Sequence, residues 1–190
     1  MEWKKYALVE CRLGGMKMSV SEHKKEAPTT VQCAIITVSD TRTEETDKSG
    51  QLIKALLNEA GHTVVAYHIM KDDYEGIQGL LQELVHQEKV EAILLNGGTG
   101  IALRDTTYEA VKDLLVKELP GFGEIFRYLS FTEDIGTAAI LSRAIAGVYN
   151  NRAIFSMPGS SGAVRLAMER IILPELGHVM REINKDLARH

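Results

Sequence analysis

Cysteine is scarce: the chain carries only Cys11 and Cys33. They make no CxxC spacing, and a structural zinc site needs about four nitrogen or sulfur ligands. A disulfide framework and a zinc ribbon are therefore excluded, and a reducing cytoplasm is the expected compartment. A basic excess is missing too. Lys and Arg number 22 against 26 Asp and Glu, a formal net charge of −4, which argues against a general nucleic-acid binder. No apolar run approaches the ~18 residues of a membrane span. Neither GxxxxGK[ST] nor GxGxxG occurs, so a P-loop or nicotinamide enzyme is not favoured. The six histidines show no metal-ligand spacing, and no Ser, His and Asp order suggests a triad. What is left is 190 residues with 45% hydrophobic and 25% charged side chains. That composition excludes disorder as the dominant state and suits one domain.

Residues 1–27 read as a flexible or loosely docked extension, and residues 28–190 as the folded domain. The opening segment never builds a signal-peptide core, because Glu10 and Arg12 interrupt Ala7-Leu8-Val9. Gly14 and Gly15 stand just ahead of Met16 and Met18, as a translated ribosome-binding sequence would, so synthesis is expected to start at one of those methionines.

From Val31 the pattern alternates between strand and helix. Val31–Val38, Thr63–Met70, Glu91–Leu95 and Ala153–Met157 are β-branched or apolar runs, the mark of buried strands. Asp47–Ala60 carries an apolar stripe and stops at Gly61. Asp72 or Asp73 can cap the next helix, and Thr106 or Thr107 a third. Gly123–Phe131, Thr137–Ala146 and Ala163–Ile172 read as helical, and Pro174 opens a last helix whose stripe runs to Leu187. The order predicts an α/β fold: a single three-layer domain with a mostly parallel sheet flanked by helices.

Glycine totals 16, barely above the usual share of about 7%, but its placement is not even. In open α/β sheets ligands bind beyond the carboxyl ends of the strands. Three strand ends run into polar or Gly-rich loops: Ser39-Asp40-Thr41-Arg42, Asn96-Gly97-Gly98-Thr99-Gly100 and Pro158-Gly159-Ser160-Ser161-Gly162. Glycines allow close approach, free N–H groups attract anions, and Thr99, Ser160 and Ser161 add hydroxyl donors. Two such loops on one sheet edge suggest an anionic ligand with at least two phosphate-like or polar ends. Asp105 is either a first-turn helix carboxylate or an acid that positions Mg²⁺ beside phosphates. Asp72 poses the same choice at the end of the second strand, where Asp73 is an equal candidate. Arg104, Arg127, Arg143 and Arg165 could pair with phosphate.

Taken together, the motifs resemble one family. They are TVSDTR at Thr37–Arg42, DKSG at Asp47–Gly50, NGGTG with RDTTYEA at Asn96–Ala110, PGFGEIFR at Pro120–Arg127, ILSRAIAGV at Ile140–Val148 and MPGSSGAVRLAMERII at Met157–Ile172. In order and spacing the chain from about Val31 resembles the MoaB/Mog family of molybdenum-cofactor biosynthesis proteins. NEAGH at Asn58–His62 and LSFTEDIGTAA at Leu129–Ala139 look closer to the MoaB branch. The resemblance implies a molybdopterin-binding fold and molybdopterin adenylyltransferase activity: molybdopterin plus Mg-ATP gives adenylyl-molybdopterin and pyrophosphate. It implies catalytic and Mg²⁺-holding roles for Asp105, in an intact GGTG-x-x-x-RD, and for Asp72, although Lys71-Asp72-Asp73 replaces the more usual Pro-Asp-Glu. It implies substrate and nucleotide binding by Gly97, Gly98, Thr99 and Gly100 and by Pro158, Gly159, Ser160, Ser161 and Gly162, with Ser39 and Asp40 near the pterin. It also implies a homo-oligomer, trimeric or hexameric; charge and hydropathy already set aside nucleic-acid and membrane partners. The alternatives are a molybdopterin-binding paralogue without the activity, a hydrolase on a related fold, and a structural assembly protein.

Overall fold

The computed structural model describes residues 28–185. The expectations for residues 1–27 and for Leu187 lie outside the described residues. The elements are β1 (Gln32–Val38), α1 (Lys48–Glu59), β2 (Thr63–Met70), α2 (Tyr74–Val85), β3 (Ala92–Asn96), α3 (Thr107–Lys112), β4 (Lys117–Glu118), α4 (Pro120–Leu129), β5 (Ile145–Tyr149), β6 (Arg152–Met157), α5 (Ser161–Ala167) and α6 (Leu173–Asn184). A π-helical turn, Ser130–Asp134, extends α4, a 3-10 helix covers Gly136–Leu141, and a second π-helical turn, Met168–Ile172, joins α5 to α6.

The sheet has six strands in the order β2-β1-β3-β6-β5-β4. Strands β2, β1, β3 and β6 are parallel, while β5 runs antiparallel to β6 and β4 antiparallel to β5. Side chains alternate between the faces, as the period of two in a strand requires. Cys33, Ile35, Leu94 and Phe155 join one core, which packs against α1, α4, α5 and α6. Ala34, Ile36, Ile93, Leu95 and Ile154 join the other, beneath α2 and α3. Both faces are covered, which is why the central strands read as unbroken apolar runs. This is the three-layer α/β domain that the sequence predicts.

Two differences are informative. Thr137–Ala146 is not one helix: the 3-10 turn ends at Leu141, and Ile145 onward is strand β5. Antiparallel strands β4 and β5 gave no usable pattern, because one is two residues long and the other is broken by Gly147. That glycine is a packing requirement, since a Cβ there would stand 2.3 Å from the Lys117 carbonyl on β4. The caps are also divided differently. Asp73 caps α2 by accepting from the Gly76 N–H at 2.8 Å, which leaves Asp72 free for another role. Thr106 sits at the start of α3 without capping it through its side chain.

Strand register brings the loops together. Thr37 pairs with Asn96, Asn96 with Met157, and Val38 with Met70. The segments after β1, β2, β3 and β6 therefore leave the sheet side by side, at neighbouring strands roughly 4.8 Å apart. The chain order reverses direction between β1 and β3, the topological switch point where such sheets hold ligands.

Candidate functional site

The two Gly-rich loops touch. Gly97 has a φ of +99°, and a Cβ there would stand 2.2 Å from the Val38 carbonyl, so no other residue fits. A Cβ on Gly159 would come 3.0 Å from the Gly97 Cα. The Gly97 N–H donates to the Met157 carbonyl at 3.1 Å, tying the β3 and β6 ends together. Among the described residues, the amides of residues 98–101 donate to no protein acceptor.

On the β1 side of this junction lies a buried polar network. Asp47, fully buried, caps α1: its Oδ1 accepts from the Gly50 N–H and the Ser49 hydroxyl, both at 3.0 Å, and from Arg42 Nη1 at 3.2 Å. The Tyr67 hydroxyl donates to its Oδ2. Burial pushes the Asp47 carboxyl up, but donors from Thr37, Tyr67, the Gly50 N–H and Ser49 outweigh it and hold the group below its usual range. Burial also raises the Tyr67 phenol, helped by the neighbouring Asp47. Asn96 Oδ1, 2.7 Å from Ser49 Oγ, shares that one hydroxyl proton with Asp47, and Asn96 Nδ2 donates to Thr37 Oγ1 at 2.8 Å and to the Ile36 carbonyl at 3.4 Å. Arg42 Nη2 donates to the Gly159 carbonyl at 3.0 Å and so fastens the loop after β6 to this network.

The Asp72 side is built differently. Asp72 Oδ1 accepts from the Thr106 N–H at 3.0 Å and the Thr106 hydroxyl at 2.8 Å. Its Oδ2 is buried with no hydrogen-bond partner, and so is Thr107 Oγ1. Both oxygens lie against Gly98: a Cβ there would meet Thr107 Oγ1 at 2.0 Å and Asp72 Oδ2 at 2.4 Å. Asp105 Oδ2 accepts from the Ala102 N–H at 3.0 Å and lies where a Cβ on Gly100 would stand. Asp72, Asp105, Gly98, Gly100 and buried Thr99 are thus adjacent, through Thr106 and the loop itself.

Other expected residues are held by contacts of their own. Ser160 caps α5, accepting from the Ala163 N–H at 3.2 Å, while its own O–H stays available to donate. Ser161 opens α5, Pro158 directly follows β6, and Gly162 faces Asp134 at 3.5 Å from a would-be Cβ. Ser39 Oγ accepts from the Thr41 N–H at 3.3 Å, and its N–H donates to the Met70 carbonyl. No hydrogen bond among the described residues ties Ser39 or exposed Asp40 to either acid. Arg143 is engaged by protein carbonyls and Glu109, and Arg165 by Glu169, so the phosphate role expected of them finds no support. Sequence reading missed Thr106 and Thr107 as anything but caps, and it quoted Arg42, Asp47, Ser49 and Asn96 only inside motifs. The signal available was their polarity at the last residue of β3, for Asn96, and at or ahead of helix starts for the others.

No group of three or more His, Cys, Asp or Glu among the described residues could hold a metal unaided. A magnesium ion does not need one. It takes one or two carboxylates and completes its shell with water and substrate phosphates. The unpaired, buried Asp72 Oδ2 against Gly98, with the Asp105 carboxylate against Gly100 in the same loop, fits that donor set. A cavity of about 680 Å³ lies elsewhere, between the β4 edge and α6, lined by Val116, Leu119, Val148, Val179 and Ile183 among others. It reaches neither acid nor either Gly-rich loop. No helix among the described residues is long and apolar enough to cross a membrane.

Residues 34–178 match the family described as a probable molybdopterin binding domain. Molybdenum cofactor biosynthesis protein B of Halalkalibacterium halodurans is 70% identical over 169 residues, 89% of this chain and 99% of that one. A crystal structure of a molybdenum cofactor biosynthesis protein B superposes with a TM-score of 0.82 at 59% identity, over 84% of this chain and 99% of the other. The tungsten cofactor synthesizing protein MoaB from Pyrococcus furiosus superposes with a TM-score of 0.74 at 38% identity, over 83% and 99%.

Proposed function

The chain belongs to the molybdopterin-binding domain family, and on that premise we propose that it acts in molybdenum-cofactor biosynthesis as a molybdopterin adenylyltransferase. The terminal phosphate of molybdopterin attacks the α-phosphorus of ATP. A new P–O bond forms, the bond from the α-phosphorus to the bridging oxygen breaks, and pyrophosphate leaves. The observation that carries this reading is the buried, unpaired Oδ2 of Asp72 beside Gly98, next to the Asp105 loop.

The nucleophile is already an anion, so no general base is required. The difficulty is bringing one anion onto a phosphorus that bears others. Positioning and charge neutralisation supply the rate. The unbonded amides of residues 98–101 and the hydroxyls of Ser160 and Ser161 would bind and orient phosphate oxygens. Gly97 and Gly159 keep side chains out of the junction, so that the ligand can approach the backbone. Asp72 and Asp105 would hold Mg²⁺, which supplies neutralisation of the phosphates when bound. Arg42 and Asn96 hold the two loops at fixed separation without touching the reacting atoms.

We also propose a homo-oligomer working in the cytoplasm. Ile125, Tyr128, Phe131, Ile135, Ile140 and Leu141 are all exposed within one short stretch. Apolar exposure of that density marks a protein contact more often than free surface. Cys33 is a buried free thiol, suited to a reducing compartment; Cys11 lies outside the described residues.

The test is incubation with molybdopterin and Mg-ATP, with detection of pyrophosphate and of adenylyl-molybdopterin. Equal amounts of the two products are expected. Tight molybdopterin binding with no pyrophosphate would instead identify a binding paralogue.

A further inference from the structure

Arg143 follows the 3-10 turn, far in sequence from the acids, and neither half of the site has used it so far. Its Nε donates to the Thr99 carbonyl at 3.2 Å, and its Nη2 donates to the carbonyls of Gly100 and of Asp105, the latter at 3.1 Å. Its Nη1 pairs with Glu109, and the guanidinium carbon lies 5.2 Å from the centre of the Tyr108 ring. The planar fork is thus fixed on one face by the ring and at its rim by four oxygens. Little donor capacity remains for a phosphate.

The consequence lies in the peptide units. No peptide bond among the described residues is cis. In a trans peptide the C=O of one residue and the N–H of the next point in opposite directions. Holding the carbonyls of Thr99, Gly100 and Asp105 turns the N–H groups of Gly100, Ile101 and Thr106 away from the arginine. The Thr106 N–H is the one that donates to Asp72 Oδ1 at 3.0 Å. The peptide between Asp105 and Thr106 is therefore gripped from both ends, a cation on its oxygen and a carboxylate on its hydrogen. Each bond polarises the other.

We infer that Arg143 is a positioning residue. Acting through the 105–106 peptide, it fixes the Asp72 carboxylate relative to Asp105, and it turns the Gly100 and Ile101 amides away from itself as phosphate donors. This rests on the adenylyltransferase reading for its consequence on rate, but not for its consequence on structure. A lysine cannot replace it, because a point ammonium does not span carbonyls from three residues and a carboxylate.

The experiment compares wild type with Arg143→Ala and Arg143→Lys, with Arg165→Ala as the control for loss of a surface arginine. Amide hydrogen exchange is followed on the ligand-free proteins, and adenylyl transfer is followed on the same samples. In both Arg143 variants the Thr106 amide is expected to exchange at least about 10-fold faster, as a local opening does, while β1 and β3 amides keep their protection. The value of kcat is expected to fall on the order of 10²-fold, with KM for Mg-ATP changed by less than about 3-fold. Millimolar guanidinium is expected to recover part of the rate of Arg143→Ala. Thr106 exchange at the wild-type rate in both variants would overturn the inference, as would a loss that appears in KM alone. If wild type itself releases no pyrophosphate while Thr106 still loosens in the variants, the positioning role stands and the adenylyltransferase reading falls.

Discussion

Two carboxylates sit in the segments that follow neighbouring strands, Asp47 at the start of α1 after β1 and Asp72 just beyond β2, and they live in opposite circumstances. Asp47 is buried and saturated. Backbone, serine, arginine and tyrosine donors meet its two oxygens. Asp72 has one oxygen held twice by Thr106 and the other buried against Gly98 with no donor at all. A buried acceptor left unsatisfied costs about 1–3 kcal/mol, so a sequence selected for stability alone would pair it. On the proposed function the contrast separates scaffold from chemistry: the β1 side holds the loops, and the unpaired oxygen of Asp72 is the one the proposal gives to a ligand.

Removal of Asp47 should show the largest effect on folding. Asp47→Ala deletes a helix cap and removes the shared acceptor of half-buried Arg42 and Tyr67 and of buried Ser49. A loss of about 3 kcal/mol is expected, which is a drop of roughly 10 °C in Tm for a chain of this size. A thermal melt measures it, and a loss under about 1 kcal/mol would break the contrast.

A matched pair of threonines sharpens it. Thr37 and Thr107 are both fully buried, but Thr37 Oγ1 accepts from Asn96 and Thr107 Oγ1 has no partner. Thr37→Val should cost about 2 kcal/mol, because it leaves the Asn96 amide with only its long bond to the Ile36 carbonyl and removes the Thr37 donor to Asp47, whereas Thr107→Val should be neutral or slightly stabilising. Chemical denaturation of both variants decides; equal costs would mean that the two sides do not differ.

The smallest effect concerns pH and lies away from both acids. His62 Nδ1 accepts from the Val31 N–H at 3.2 Å, and burial lowers the imidazole below its ordinary value of 6.5. A depressed histidine favours the fold while neutral. Its contribution is complete above 6.5 and is lost as pH falls below that value toward the folded one. His62→Asn, which keeps an acceptor near Nδ1 but no titration, should flatten the stability profile between pH 7 and about 5. An unchanged slope would remove His62 from the explanation.

The sequence carried the fold where burial is two-sided. Strands β1, β3 and β6 appear as apolar runs because both of their faces are covered, and edge strand β2, only half-buried, appears through its β-branched residues. β4 and β5 escaped because short antiparallel strands with Gly147 in place of a packing side chain leave no period to read. In the site, the glycines, Asp105 and Asp72 stood out as candidates by their place at strand ends, and motif order added the roles expected of them. Periodicity left Asp72 and Asp73 equivalent, and the structure separates them by giving Asp73 the cap. The remaining partners are contacts between distant residues. Ser49 meets Asn96, Asp72 meets Thr106 and Arg143 meets Thr99 only once the sheet has aligned the strand ends. No local pattern announces that Thr107 has an unbonded hydroxyl, because that depends on how closely the β3 loop passes over it.

The most direct measurement is adenylyl transfer by Asp72→Asn, with molybdopterin and Mg-ATP at saturation, on protein shown by its melt to be folded. The substitution keeps the shape and the Thr106 contacts and removes the charge behind the unpaired oxygen. Turnover should fall on the order of 10²–10³-fold while Tm holds or rises slightly. Turnover near that of wild type would contradict the assignment of the reacting side to Asp72, whatever the fold and family of the chain.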